Sequence, residues 1–338
     1  MFQEFVLGVA FISSVLGITV AQSFLLEDQV AVVPTIRTSE IEQPETIPDI
    51  AEQQLQEAEE VLTLELQDTL LSAITPPQQK QDISLEPAVD AWAALVMDTS
   101  TKQVLWQKNP EGVLPIASIT KLMTALTWID NQPADGLEHV HTFAPEQDTP
   151  EGKELNLAHG EQLKAYDLLR SSLVGSNNDT AMALVATTGL GEGDFIAAMN
   201  ERAQAIGMNN TVFADPTGLS ANNKSTAYDI ALLAHTAFAY EDIQVPAGMT
   251  EHIQATVSGK LHTVKTTNKL LFDEDIEIIA GKTGYIPAAG YCIVIQAQIP
   301  DSDRTIIGVV LGTSSDAARF SEMKNMIQWT IDSHEWVE

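Results

Sequence analysis

Three short runs in this chain carry side chains suited to a single chemistry. In Ser118-Ile119-Thr120-Lys121 a serine and a lysine stand three residues apart. Ile119, Leu122, Met123 and Leu126 follow the i, i+3, i+4, i+7 rule, which predicts an amphipathic helix starting near Ser118, soon after Pro115. On such a helix Ser118 and Lys121 share a face, one turn apart. A serine hydroxyl is a weak nucleophile until a base takes its proton. A lysine can be that base when desolvation or a nearby cation leaves it neutral, and the free N–H groups of a helix start favour negative charge beside Ser118. Ser176-Asn177-Asn178 follows a predicted helix ending near Leu173-Val174-Gly175. It offers a second hydroxyl and an amide, able to relay a proton and hold a substrate amide. Lys282-Thr283-Gly284 supplies donors for a carboxylate, and its glycine lets a substrate backbone approach closely.

Taken singly, each run has a plainer reading. S-x-x-K occurs by chance on many surface helices, and Ser-Asn-Asn before Asp179 reads equally as a helix N-cap. A glycine followed by Lys282-Thr283 suggests a phosphate loop, but Ile276 stands where the first glycine of G-x-x-x-x-G-K-[ST] belongs. The three runs gain weight from their order and separation within one chain.

The elements that must position them follow from the apolar pattern. Trp92 to Met97 reads as a strand, Asp98 to Thr101 as a turn and Val104 to Trp106 as the returning strand. A mostly helical middle follows. Gly290 to Pro300 and Arg304 to Thr313 read as two long apolar strands, and Ser315 to His334 as a closing helix. Strands at both ends with helices between predict an α+β fold, one sheet made from the two ends plus a helical insert.

Around that domain, expected over residues 88–338, composition changes sharply. Phe5 to Leu26 is a run of 22 residues without a charge, long enough as a helix to span a bilayer core. It reads as an uncleaved anchor or, with Thr19-Val20-Ala21 as a weak cleavage site, as a signal peptide. Residues 27–87 are rich in Glu, Gln and Pro, lack glycine and read as a solvated tether, with a helix possible from Ile50 to Ile74. The formal charge of −30 argues against nucleic acid and against a basic lipid-docking patch. The single cysteine, Cys292, lies in the apolar run Tyr291 to Ile295 and reads as a small buried hydrophobe.

The three runs are the serine-lysine, serine-x-asparagine and lysine-threonine-glycine set of β-lactamases and penicillin-binding proteins. Over roughly residues 90–332 the chain resembles the low-molecular-mass D-alanyl-D-alanine carboxypeptidases. Pro115 to Ala125 is similar to the first motif of that family almost residue for residue. Thr217-Gly218-Leu219 followed by Ser225 to Ala231 matches a further typical segment, and Gly281 to Tyr285 followed by Ala289-Gly290-Tyr291 matches the third motif. The resemblance implies an antiparallel sheet flanked by helices with a helical subdomain, and no cofactor or metal. It implies that Ser118 attacks the carbonyl between two terminal D-alanines of a peptidoglycan stem peptide, with Lys121 taking its proton. Ser176 and Asn178 would line the opposite wall, and Lys282, Thr283 and Gly284 would flank the substrate, Thr283 near its carboxylate. Backbone N–H groups of Ser118 and Tyr285 would form the oxyanion hole. Arg319, upstream of Trp329 on the last helix, would add charge for the carboxylate. β-Lactams would be covalent inhibitors, and the enzyme would work outside the cytoplasm, held by residues 5–26.

The chain departs from the family pattern in two places. Asn177 replaces a common glycine, which would reshape that wall. The chain also stops at Glu338, leaving no room for the β-rich C-terminal domain and amphipathic tail of many relatives, so the N-terminal segment would act as anchor instead. Among alternatives, a D,D-endopeptidase cutting cross-links would look nearly identical. A class A β-lactamase would need a deacylating glutamate in a Glu-x-x-Leu-Asn run, which is missing. A silent peptidoglycan-binding module would not need every chemical residue. For a zinc peptidase, His139 and His141 lack a companion carboxylate-histidine constellation.

Overall fold

The apolar runs from the two ends of the domain meet in one sheet. The computed structural model describes residues 75–81, 86–148, 150, 152 and 154–336. In chain order the main elements begin with β1 (Ala93–Asp98), β2 (Val104–Lys108), α1 (Thr120–Asn131) and α2 (Ala165–Val174). They continue with α3 (Asn178–Thr187), α4 (Glu192–Ala205), α5 (Ala227–Ala237), α6 (Glu241–Ala247), β3 (Glu251–Ala255) and β4 (Leu261–Lys265). The last are β5 (Ile278–Ile286), β6 (Gly290–Gln298), β7 (Thr305–Thr313) and α7 (Asp316–Ser333). The principal sheet is antiparallel throughout, in the order β5-β6-β7-β1-β2.

β1 is apolar at five successive positions because both its faces are covered, and alternation sends its side chains to each in turn. Ala93, Leu95 and Met97 join one core with Val309, Leu311 and helices α1 and α5. Ala94 and Val96 join the other with Ile293, Ile295, Met323 and Ile327 beneath α7. Each fully buried Val, Leu, Ile or Met side chain among these contributes about 1.5–3 kcal/mol relative to exposure. α7 packs close: a Cβ on Gly308 would stand 2.6 Å from Met323 Sδ. Its start is capped by the Ser315 hydroxyl, which accepts from Ala318 N–H at 3.1 Å.

Two local expectations are revised. Regular α-helix begins at Thr120 rather than Ser118, because Ala117 has φ +49° and the chain enters through a 3-10 turn, Ala117–Ile119. The helical middle also contains the β3–β4 hairpin, whose pattern is inverted. His252 and Gln254 point inward to Asp167 and Ser171, while Ile253 is 60% exposed. Apolar periodicity therefore gave no signal there.

Within the stretch read as a tether, Gln78–Gln79 pairs with His334–Glu335, Lys80 Nζ donates to Asp332 O at 2.7 Å, and Arg304 Nη1 donates to Thr75 O at 2.9 Å. Arg304 also meets the buried Asp98 at 2.8 Å. Among the described residues no helix is long and apolar enough to cross a membrane, and the expected anchor at residues 5–26 lies outside them.

Candidate active site

Ser118 sits in the 3-10 turn, with the buried, left-handed Ala117 before it. A non-glycine residue there is strained by about 1–2 kcal/mol, so neighbours must hold the turn. Two glycines pack against it. A Cβ on Gly218, itself at φ +87°, would meet Ala117 O at 2.1 Å. A Cβ on Gly284 would stand 2.8 Å from Ile116 O and 3.1 Å from Ser118 N. Both strands of chain thus close on the turn only because they carry no side chain at these points.

One turn on, Lys121 is buried. Its Nζ donates to Ser118 Oγ at 3.1 Å, to Asn178 Oδ1 at 2.7 Å and to Thr217 O at 2.7 Å. The loop that presents Thr217 is built around Asp215. Its carboxylate accepts from the N–H groups of Thr217, Gly218 and Ser220 at 2.7, 2.7 and 2.8 Å, and from Asn223 Nδ2 at 3.0 Å. Asn223, fully buried, also donates to Thr120 Oγ1 at 3.1 Å, and Thr124 Oγ1 donates to Pro216 O at 2.5 Å. Sequence reasoning noted Thr217-Gly218-Leu219 but missed Asp215 and Asn223. The only available signal was an acid and an amide bracketing that segment.

The facing wall brings in the other two runs. Ser176, at φ +62°, receives a hydrogen bond from the buried Lys282 Nζ at 2.8 Å. Asn178 opens α3 and reaches Lys121, so the second run bridges both lysines. Asn177 holds the N-cap position without a side-chain cap bond. It is buried, its Oδ1 lying 2.2 Å from where a Gly175 Cβ would stand, and it does not line the cleft. Its replacement of glycine therefore leaves the cleft wall to Ser176 and Asn178. Ser118, Ser176, Asn178, Thr283, Tyr285 and Arg319 surround a cleft of about 220 Å³.

Thr283 Oγ1 lies 2.5 Å from Thr267 Oγ1, a partner that the sequence did not suggest. Tyr285 is half exposed and stacks on Tyr291 with ring centroids 4.3 Å apart. Arg319, on the first turn of α7, donates to Gly284 O at 3.1 Å and pairs with Asp316, and its Nε has no partner among the described residues. Burial draws its pKa down against the opposing pull of Asp316; a guanidinium nevertheless stays cationic. The cleft so framed has a hydroxyl beside an amine, an amide and a second hydroxyl, and the Arg319 guanidinium in its lining. That arrangement can acylate and deacylate a serine on an anionic substrate.

Cys292 lies elsewhere, buried in β6, and burial pushes its thiol up to about 11, which suits the apolar reading. His139 and His141 pair separately with Asp135 and Asp148. Among the described residues no group of three or more His, Cys, Asp or Glu could hold a metal ion.

Residues 79–315 match the profile of the D-alanyl-D-alanine carboxypeptidase family. The chain is 33% identical over 264 residues to a D-alanyl-D-alanine endopeptidase of Pseudomonas aeruginosa, covering 77% of this chain and 83% of that one. It is 32% identical to a D-alanyl-D-alanine endopeptidase of Escherichia coli, covering 72% and 78% respectively. A D-alanyl-D-alanine carboxypeptidase of Bacillus subtilis, DacF, is 29% identical, with 74% of this chain and 64% of the relative covered. Among solved structures, the DD-transpeptidase of Streptomyces K15 superposes with a TM-score of 0.68 at 26% identity, over 74% of this chain and 100% of that one.

Proposed function

The chain belongs to the D-alanyl-D-alanine carboxypeptidase family and is a serine-type D,D-peptidase, and from that premise we propose how its residues divide the work. Ser118 Oγ attacks the carbonyl carbon of the penultimate D-alanine of a peptidoglycan stem peptide, and its proton passes to Lys121 Nζ. The developing oxyanion is held by the N–H groups of Ser118 and Tyr285. The tetrahedral centre collapses to an ester on Ser118, the C–N bond breaks, and the leaving amine takes a proton through Ser176. Water then attacks the ester, returning the hydroxyl to Ser118 and freeing the shortened peptide. Asn178 holds the substrate amide, Lys282, Thr283 and Gly284 flank the substrate with Thr283 near its carboxylate, and Arg319 adds charge for that carboxylate. The observation that carries this reading is the 3.1 Å contact of a buried lysine with Ser118 at the floor of the cleft. A labelled penicillin is expected to form one covalent adduct, on Ser118, and to form none on Ser118→Ala. An adduct mapped by mass spectrometry to any other residue overturns the assignment.

Removing a terminal D-alanine and cutting a cross-link use the same acyl-enzyme and differ only in what the leaving amine carries. The endopeptidase name on relatives at 33% and 32% identity favours the cross-link as this enzyme's better substrate. Turnover should then be faster on cross-linked muropeptides than on a D-Ala-D-Ala pentapeptide; the opposite ranking returns the terminal D-alanine to first place. Such substrates lie outside the cytoplasm, and the uncharged run at residues 5–26 suits a membrane anchor there. Expressed in a bacterial host, the full chain should sediment with membranes and a chain lacking residues 1–26 should not; equal behaviour of the two removes the anchor from the reading.

A further inference from the structure

We infer that Thr267 is a specificity-determining residue, which acts with Thr283 as a hydroxyl pair that favours ligands bearing a carboxylate beside the scissile amide. This rests on the reading above, in which Thr283 faces that carboxylate. Thr267 lies outside all three motifs, yet it lines the cleft together with Ser118, Thr283 and Arg319. Its Oγ1 stands 2.5 Å from Thr283 Oγ1, a distance at which one of the two must donate to the other.

Its place is fixed by the backbone around it. Thr267 N–H donates to Val174 O at 3.3 Å, at the end of α2 and two residues before Ser176. The neighbouring Asn268 is buried, and its Nδ2 occupies the space that a Cβ on Gly281 would need, 2.8 Å away. Residues 267–268 are thus seated between the wall that carries Ser176 and the strand that carries Thr283.

Two hydroxyls bonded to each other use one proton between them and keep one. With Thr267 donating, the Thr283 proton is turned outward to the ligand. Donation through a chain polarises each hydroxyl, so the outward one becomes the better donor to an anion. One of the two lone pairs of Thr283 is then taken by the Thr267 proton, which leaves fewer acceptor sites for a neutral amide approaching with its own N–H. Thr283 alone would rotate freely and present either a proton or a lone pair. The second hydroxyl therefore converts an indifferent group into one that selects an anion.

The test compares two peptides that differ only at the C-terminus, a D-Ala-D-Ala pentapeptide with a free carboxylate and its carboxamide, on the full chain. Thr267→Val should lower kcat/KM for the carboxylate peptide about tenfold, chiefly through KM, and change the carboxamide little. Thr267→Ser should restore the preference, and thermal melting of both variants should match the parent. Equal losses on the two peptides, or no loss from Thr267→Val while Thr283→Val loses the carboxylate preference, overturn the role of Thr267 alone. If Thr283→Val leaves the preference intact, the placement of the carboxylate in the cleft fails, and this inference fails with it.

Discussion

On the helical wall of the cleft the polar groups are already engaged with one another. Lys121 bonds to Ser118, Asn178 and Thr217, and Asp215 gathers four backbone N–H groups and Asn223 beneath them. The strand wall is less complete. Tyr285 is half exposed, Arg319 Nε has no partner among the described residues, and Thr283 shares a hydroxyl bond that leaves one proton over. A wall organised in advance suits groups that move protons, because nothing there needs to reorganise during the reaction. A wall with bonding capacity left over suits groups that bind. On the mechanism proposed above, the difference would put rate on the first wall and recognition on the second.

The sharpest way to break that division is Lys121→Arg. Arginine keeps the charge but cannot act as a base, and losing a positioned base lowers acylation by about 10²–10⁴-fold. Stopped-flow acylation with a labelled penicillin should show this drop, with ligand binding nearly unchanged. Near parental rates would mean that Lys121 is only a cation and that the base lies elsewhere. Asp215→Ala should act on the same wall at one remove. It empties the loop that aims Thr217 O at Lys121, so acylation should fall about tenfold to a hundredfold with Tm lowered by several degrees. A fall in substrate affinity without a fall in acylation would place the loop on the recognition side instead.

The smallest effect belongs to the strand wall. Burial alone would raise the Asp316 carboxyl, but bonds to Lys269 and Arg319 more than offset that and hold it below its ordinary value. A carboxyl held low in the folded state stabilises it above the unfolded value and ceases to do so as pH falls through the folded one, on the acid side of about 4. Asp316→Asn should therefore flatten the acid limb of a Tm–pH curve slightly, because the group is partly exposed and screened. Identical acid limbs in parent and variant would show that the pair contributes nothing to the fold.

Much of this was legible beforehand. Strands β1, β6 and β7 announced themselves as apolar runs because they are largely buried, and residues of all three motif runs line one cleft. The β3–β4 hairpin was not legible, since its inward residues His252 and Gln254 are polar and partnered only across the fold. Asp215 was equally hidden: an acid in a loop reads as solvated until the chain closes that loop on Ala117. Thr267 precedes Thr283 by a separation that no local rule connects, and only the seating of residues 267–268 between the end of α2 and β5 brings their hydroxyls together. The helix start was read near Ser118, two residues before regular helix begins, because the apolar pattern reports the face of a helix and not the φ of the residue that precedes it.

The short clasp of Gln78–Gln79 on His334–Glu335 also sets how the domain would answer a mechanical load. A pull on residue 75 meets the Arg304 bond to Thr75 O, the two-residue ladder and the Lys80 contact before any tension reaches β1. Those bonds are few and open in succession, whereas β1 is flanked by β7 and β2 and its ladders must fail together. The clasp is therefore a fuse that lengthens the chain at low force while the cleft stays closed. In a pulling experiment with handles at residues 75 and 118, a small early step should precede a much larger rupture, and a single rupture would show that no such fuse exists.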